Sequence, residues 1–200
     1  MISSILLAAG RSSRMDGENK LVKEIKGIPL IKHSIKSILG SSVNEIIVVL
    51  GYEKDVVKSL IEANKKIKFV YNKDYESGMA SSIKIGIENI SNRAEAFFIS
   101  LGDMPKVNQS IYNKLIKARC NYNKKLKVEY KKEFIIPTFE GKKGNPILVS
   151  KQAKGKIINV KGDYGAREII ELNKNKTLYI PVKNKGVMID YDYHEDFNSS

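Results

Sequence analysis

Apolar runs and stretches of helical period alternate along the first 120 residues. SSILLAA turns continuously apolar and ends at Gly10, which predicts a first strand buried on both faces. IPLIKHSIKSILG spaces its apolar residues at helical intervals and stops at Gly40, a suitable C-terminal cap. EIIVVLG then predicts a second strand, EKDVVKSLIEANKK a second helix and IKFVYN a third strand. GMASSIKIGIENI opens a third helix at a glycine and serines; AEAFFISLGD is a fourth strand and NQSIYNKLIKARC a further helix. This alternation predicts an α/β architecture around a mostly parallel sheet.

Beyond residue 120 the pattern changes. EFIIPTFEGKKGNPILVS sets two apolar runs around a Gly and Lys turn, predicting a small antiparallel hairpin. KQAKGKIINV and GAREIIELN predict two short helices, and TLYIPV and GVMIDYDY late strands. No repeat or low-complexity linker divides the 200 residues, so they read as one domain: residues 1–120 a nucleotide-binding half, 121–200 a substrate-side half.

Apolar content of 42% and charged content of 28% suit a globular chain. No apolar run approaches the roughly 20 residues that span a bilayer. MISSILLAAG lacks a basic leader and cleavage site, and Cys120 is the single cysteine, so a reducing, cytoplasmic setting without membrane or disulfides is expected. The net charge of +13 raises nucleic acid as a partner. The lysines are spread along the chain, however; even the densest cluster, NYNKKLKVEYKKE, reads as a solvated loop or interaction surface, so no nucleic acid is expected.

ILLAAGRSSRMDGENKLV carries the first candidate chemistry. It fits neither G-x-G-x-x-G nor the P-loop pattern. Gly10 lets the chain turn off the strand, the N–H groups of Arg11 to Ser13 can face phosphate oxygens, and Arg14 and Lys20 supply charge. In FFISLGDMP, Asp103 ends a strand at the same sheet edge, where it is either a turn or helix N-cap aspartate or, beside a triphosphate, a carboxylate suited to Mg²⁺. In VMIDYDYHED, Asp190 and Asp192 lie two apart on a presumed strand, so both face one side and can complete a metal site. His33 reads as structural, and His194 is a further candidate ligand by adjacency.

These stretches carry a resemblance. LLAAGRSSRMDGENK resembles the signature loop of the molybdenum-cofactor type of nucleotidyltransferase, the MobA-like NTP transferase family, commonly L-A-[AG]-G-x-S-x-R-M-G-x-x-K. SLGDMP resembles its metal-aspartate motif, KKGNPILVS its G-[HN]-P-V-L-F segment and DYDYHED its D-x-D-T-P-E-D motif. The LAAG and GDYGAR pieces resemble the cytidylyltransferase branch. RMDGENK departs by one extra residue before the lysine, and Tyr193 and His194 stand where Thr and Pro are usual.

The resemblance implies a Rossmann-like three-layer fold and transfer of CMP from CTP to molybdenum cofactor (molybdopterin), with Mg²⁺ as cofactor and a molybdenum hydroxylase as eventual recipient. It implies catalytic roles for Arg14, Lys20 and Asp103, and nucleotide contacts from Leu7, Ala8, Ala9, Gly10, Arg11 and Ser12. Asn72, Gly78, Met79 and Ser81 fall at its nucleoside end, or form a helix start with Ser81 and Ser82 facing solvent. Gly144, Asn145, Pro146, Gly162, Asp163 and Arg167 fall on its acceptor side, Arg167 pairing with a phosphate or with Glu168 or Glu171. Asp103, Asp190 and Asp192 form the implied metal set. Guanylyl transfer, sugar-phosphate nucleotidyl transfer, or a non-catalytic protein that delivers the finished cofactor are the alternatives.

Overall fold

The computed structural model describes residues 1–124, 126–159 and 166–198. The chain begins with β1 (Ile2–Ala8), followed by the two-residue strands β2 (Glu24–Ile25) and β3 (Ile28–Pro29), which pair antiparallel beside the sheet. Next come α1 (Leu30–Leu39), β4 (Glu45–Leu50), α2 (Lys54–Ser59), β5 (Ile67–Tyr71), α3 (Met79–Asn89), β6 (Ala96–Leu101) and α4 (Gln109–Asn123). The later half holds β7 (Phe134–Phe139), β8 (Lys142–Lys143), β9 (Ile147–Ser150), α5 (Lys154–Ile158), α6 (Arg167–Leu172), β10 (Thr177–Pro181) and α7 (His194–Asn198).

One sheet runs in the order β10-β7-β9-β6-β1-β4-β5, with β8 paired to β7. β1 lies parallel to both β4 and β6, β4 to β5, and β10 to β7, whereas β9 runs antiparallel between β6 and β7. Strict alternation along each strand fills two cores. Leu6, Val48, Phe98, Ile135 and Leu148 face a layer with α1, α2 and α4. Ile5, Val49, Phe97, Phe134 and Val149 face α3, α5 and α6 on the other side. The result is the expected three-layer α/β sandwich, and covering both faces is what lets the strands be continuously apolar. The predicted hairpin forms as well: Glu140 and Gly141, both with positive φ, make the tight turn between β7 and β8.

Two predicted elements differ. α2 stops at Ser59, not at the end of EKDVVKSLIEANKK, because Val57 and Ile61 are buried but EANKK offers nothing to bury. GVMIDYDY is not a strand: Lys185–Met188 form a 3-10 turn and irregular chain leads to α7. Its backbone partners lie on loops at the end of the sheet, Asn145 N–H reaching Val187 O at 2.8 Å and Tyr191 N–H reaching Asp103 O at 2.9 Å. Val187 and Tyr191 anchor this crossing segment in the core. Among the described residues no helix is long and apolar enough to cross a membrane.

The open rim at β5 carries its own cover. Lys54 Nζ stands 4.3 Å above the Tyr71 ring and Lys58 Nζ 5.6 Å above that of Phe69.

Candidate active site

A cavity of 570 Å³ opens where β1 and β6 end, and residues 7–14 form its floor and one wall. The turn after β1 is shaped by close packing as well as by its own residues. A Cβ on Gly10 would meet nothing within 4 Å, and Gly10 has no positive φ, so the turn does not use its conformational freedom. The demanding glycine is Gly51, after β4: a Cβ there would fall 2.6 Å from Ala9 O and 2.7 Å from Tyr75 Cβ. Tyr52 N–H donates to the same Ala9 carbonyl at 3.1 Å, clamping the turn from behind.

The extra residue in the loop is absorbed by a left-handed Asp16-Gly17 turn (φ 48° and 90°), closed by Glu18 N–H to Met15 O at 2.8 Å. Met15 is wholly buried and fixes the loop from below. Ser12 Oγ accepts the Lys20 N–H at 3.0 Å, Asn19 caps the 3-10 turn Lys20–Val22, and Leu21 anchors it in the core. Lys20 therefore points back into the cavity despite the altered spacing.

Asp103 is aimed from the neighbouring strand. Gly102 N–H donates to Leu7 O at 3.0 Å, Ser34 Oγ donates to Gly102 O at 3.0 Å, and a Cβ on Gly102 would press Leu7 O at 3.0 Å. Lys20 Nζ then lies 2.5 Å from Asp103 Oδ2 and 2.5 Å from Asp192 Oδ1. Arg14 reaches the other oxygen of Asp192 at 2.5 Å, and Arg11 pairs with Glu76 at 2.8 Å across the mouth. Burial lifts the Asp103 carboxyl above its ordinary range, against the pull of Lys20; Asp190 and Asp192 add to the rise. For Lys20, burial pulls downward but the two carboxylates win and raise its pKa. For Asp192, burial pushes upward, yet Lys20 and Arg14 hold it below the usual carboxylate range. The cluster thus favours a charged lysine between two acids.

Asp190 is exposed and is not part of this bridge, so the expectation that it and Asp192 share a strand face fails with the strand itself. Among the described residues no three of His, Cys, Asp and Glu converge as a ready-made metal cage. Asp103 Oδ1, buried and without a hydrogen-bond partner there, fits a hard cation that takes one or two carboxylates. Asp192 is aimed by Asp196, whose Oδ2 accepts the N–H of Asp192 and of Tyr193, both at 2.8 Å. His194 turns away from the acids of the cavity. Lys23 Nζ meets its Nδ1 at 2.7 Å and also Glu18 at 2.7 Å, while His194 Nε2 faces Asp16 at 3.6 Å. His33, half-buried on α1, does not line the cavity.

Gly78 and Met79 line the cavity, but Asn72 and Ser81 do not. Asn72 is fully buried; its Nδ2 donates to Ser81 and Ser82 and its Oδ1 accepts from Asp74 N–H, so it holds the entry to α3. Ser82, buried rather than facing solvent, lines the cavity in place of Ser81. Ser13 lines it as well, and so do Leu21, Tyr75, Glu76 and Leu101, which were not read from the sequence. Gly144, Asn145 and Arg167 gather around a separate 90 Å³ cavity beside α6, which Pro146 does not line. Gly144 is required there by packing, since a Cβ would press Val187 O at 2.6 Å. Glu171 is taken by Lys143 and Lys174, not by Arg167. Gly162 and Asp163 lie outside the described residues.

Comparison with known proteins bears on the family and the fold. The profile of the MobA-like NTP transferase domain matches residues 4–178. The chain is 27% identical over 196 residues to the molybdenum cofactor cytidylyltransferase of Escherichia coli (strain K12), covering 98% of this chain and 93% of that one. Rv0371c of Mycobacterium tuberculosis H37Rv has the same fold, with a TM-score of 0.83 at 20% identity over 99% of this chain and 96% of that one. Its complex with manganese gives a TM-score of 0.76 at 17% identity, covering 100% and 99% of the two chains. With the family profile spanning most of its length, the chain belongs to the MobA-like NTP transferase family and is a nucleotidyltransferase.

Proposed function

We propose that the chain transfers CMP from CTP to the terminal phosphate of molybdopterin-type molybdenum cofactor and releases pyrophosphate. The observation that carries this reading is Lys20 held between Asp103 and Asp192 beneath the turn after β1. The choice of CTP and of this acceptor is supported by the 27% identity, across almost the whole chain, to the E. coli cytidylyltransferase.

The acceptor phosphate is already largely ionised near neutral pH, its second pKa being about 6, so no general base is needed. No histidine lines the cavity, which suits that requirement. An acceptor oxygen attacks the α-phosphorus, a new P–O bond forms, and the bond to the bridging oxygen breaks as pyrophosphate leaves with its electron pair. The obstacle is repulsion between anions, and the chain answers it with positioning and charge. The N–H groups of Arg11, Ser12 and Ser13 have no acceptor among the described residues and are available to phosphate oxygens. Lys20 and Arg14, tied to carboxylates in the free protein, exchange those partners for the β- and γ-phosphates. Asp103 and Asp192 would hold Mg²⁺, which when bound supplies neutralisation of phosphate charge and stabilises the departing pyrophosphate.

In this reading the whole chain is one domain, and residues 121–200 form its acceptor half, with Gly144, Asn145, Pro146 and Arg167 on that side. β9 supports it: running antiparallel, it starts opposite Ile99 near the end of β6 that carries Asp103. The enzyme works in the cytoplasm, and a molybdenum hydroxylase receives the product. Purified protein and Mg²⁺ are incubated with each of the four NTPs and with either the cofactor or a sugar phosphate as acceptor, and pyrophosphate release is followed. CTP-dependent release is expected; use of GTP without CTP refutes the base assignment, and release only with a sugar phosphate refutes the acceptor.

A further inference from the structure

A second cleft, of 520 Å³, lies at the other end of the sheet, between Glu95 before β6 and Ser150 at the end of β9. Strand β6 separates it from Asp103 by about 20 Å. Its walls come from the end of α4 and the basic segment that follows, including Arg119, Lys124, Lys131 and Lys132. Two carboxylates also line it, but both are committed: Glu95 to the N-terminal amine at 3.4 Å and Glu133 to Lys156 at 2.6 Å.

The four cations have no such commitments. Arg119 is oriented by neutral acceptors only, Nε donating to Ser150 Oγ at 3.2 Å and Nη2 to the Glu95 carbonyl at 3.2 Å. Its Nη1 has no acceptor among the described residues. Lys132 donates to the carbonyl of Asn175 at 2.7 Å, again a neutral partner, and Lys124 and Lys131 form no ion pair among the described residues. The catalytic cavity differs, because there Arg11, Arg14 and Lys20 each meet a carboxylate. Gathering like charges around a concave surface costs self-repulsion, which a bound anion relieves. A guanidinium already fixed on two sides presents its free edge to phosphate oxygens with little further loss of freedom.

We propose that this cleft is a second anion site, distinct from the catalytic cavity, that takes an oligophosphate, free or as the tail of a nucleotide. Its volume is of the order that small-ligand sites occupy, a few hundred Å³. Glu95 and Glu133, which line the cleft, disfavour a long nucleic-acid strand, which would carry its phosphates past both.

The test is calorimetric titration of pyrophosphate, without metal, into the intact chain and three variants. Arg119→Met and the pair Lys124→Met/Lys131→Met alter the cleft; Arg11→Met/Arg14→Met alters the exposed catalytic loop. Saturable binding should survive in the loop variant and weaken about tenfold in each cleft variant, the equivalent of one charge-assisted hydrogen bond. The lysine pair keeps the test decisive if Arg119→Met fails to fold. CTP is titrated in parallel into the loop variant with and without the cleft substitutions, so that the catalytic cavity is altered in every arm: an equal loss assigns the cleft to the oligophosphate itself, and a larger loss with CTP assigns it to the nucleotide. Affinity unchanged in the lysine-pair variant, binding abolished in the loop variant, or binding that never saturates overturns the proposal.

Discussion

Gly51→Ala should damage a nucleotide site that Gly51 never touches. The new Cβ would sit 2.6 Å from Ala9 O and 2.7 Å from both Ala9 Cβ and Tyr75 Cβ, far inside ordinary contact. Two of these are on the cavity wall's own backbone turn, so relief requires moving Ala9, Tyr75 or β4. Overpacking of this kind costs about 1–3 kcal/mol. Loss of the Tyr52 N–H to Ala9 O bond adds about 1 kcal/mol, for a total of roughly 2–4 kcal/mol. For a chain of this length that corresponds to a fall in Tm of roughly 5–15 °C. Scanning calorimetry measures the fall, and steady-state kinetics should show a raised KM for the nucleotide triphosphate with kcat less affected, because the displaced turn presents the phosphate-facing N–H groups. Gly10→Ala is the control. Nothing lies within 4 Å of that Cβ, so Tm should hold while any loss of nucleotide affinity reports the ligand's own approach to the turn. A Gly51→Ala protein with Tm within about 2 °C of the parent and unchanged KM refutes the clamp.

Lys20→Met removes the cation shared by two acids whose side chains are only 18% and 24% exposed; turnover should fall about 10²–10³-fold in the pyrophosphate assay, and near-normal turnover removes Lys20 from the mechanism. Lys23→Met breaks the tie between Glu18 and His194 that joins the loop to the C-terminal segment. Its expected signature is a severalfold rise in nucleotide KM with little change in Tm, restored by Lys23→Arg; an unchanged KM excludes the brace. Asn72→Ala should lower stability by about 1–3 kcal/mol, since it leaves the buried Ser82 hydroxyl and the Asp74 N–H without the amide they share, while nucleotide KM in the folded protein stays as it was. A selective rise in KM would instead return Asn72 to the nucleoside pocket.

The readable parts of this molecule were those encoded locally. β1, β4 and β6 announce themselves because a strand covered on both faces must be apolar at every position, and Asp103 follows directly from where β6 stops. The loop bearing Arg14 and Lys20 was legible for the same reason, and its additional residue did no harm because Asp-Gly readily adopts the left-handed turn. Tyr75, Glu76 and Ser82 were missed since they reach the cavity only through the docking of β5 and α3, which no neighbouring residue signals. Gly51 looked like an ordinary end of strand; its necessity arises from Ala9, forty-two positions earlier (51 − 9). GVMIDYDY misled because alternation of apolar and polar residues describes any extended chain with one buried side. Val187 and Tyr191 are buried by a segment laid across the ends of strands, where no edge is available for pairing.

The lysines perched over Tyr71 and Phe69 bear on how this protein behaves when crowded. An outer strand with unpaired N–H and C=O groups is a template on which another copy can add. To zipper onto β5, an incoming chain would have to displace Lys54 and Lys58 from the aromatic faces they cover and bring its own cations against them. Part of the surplus that gives a pI of 9.6 therefore serves as a bumper, keeping molecules dispersed where a bare rim would seed aggregates.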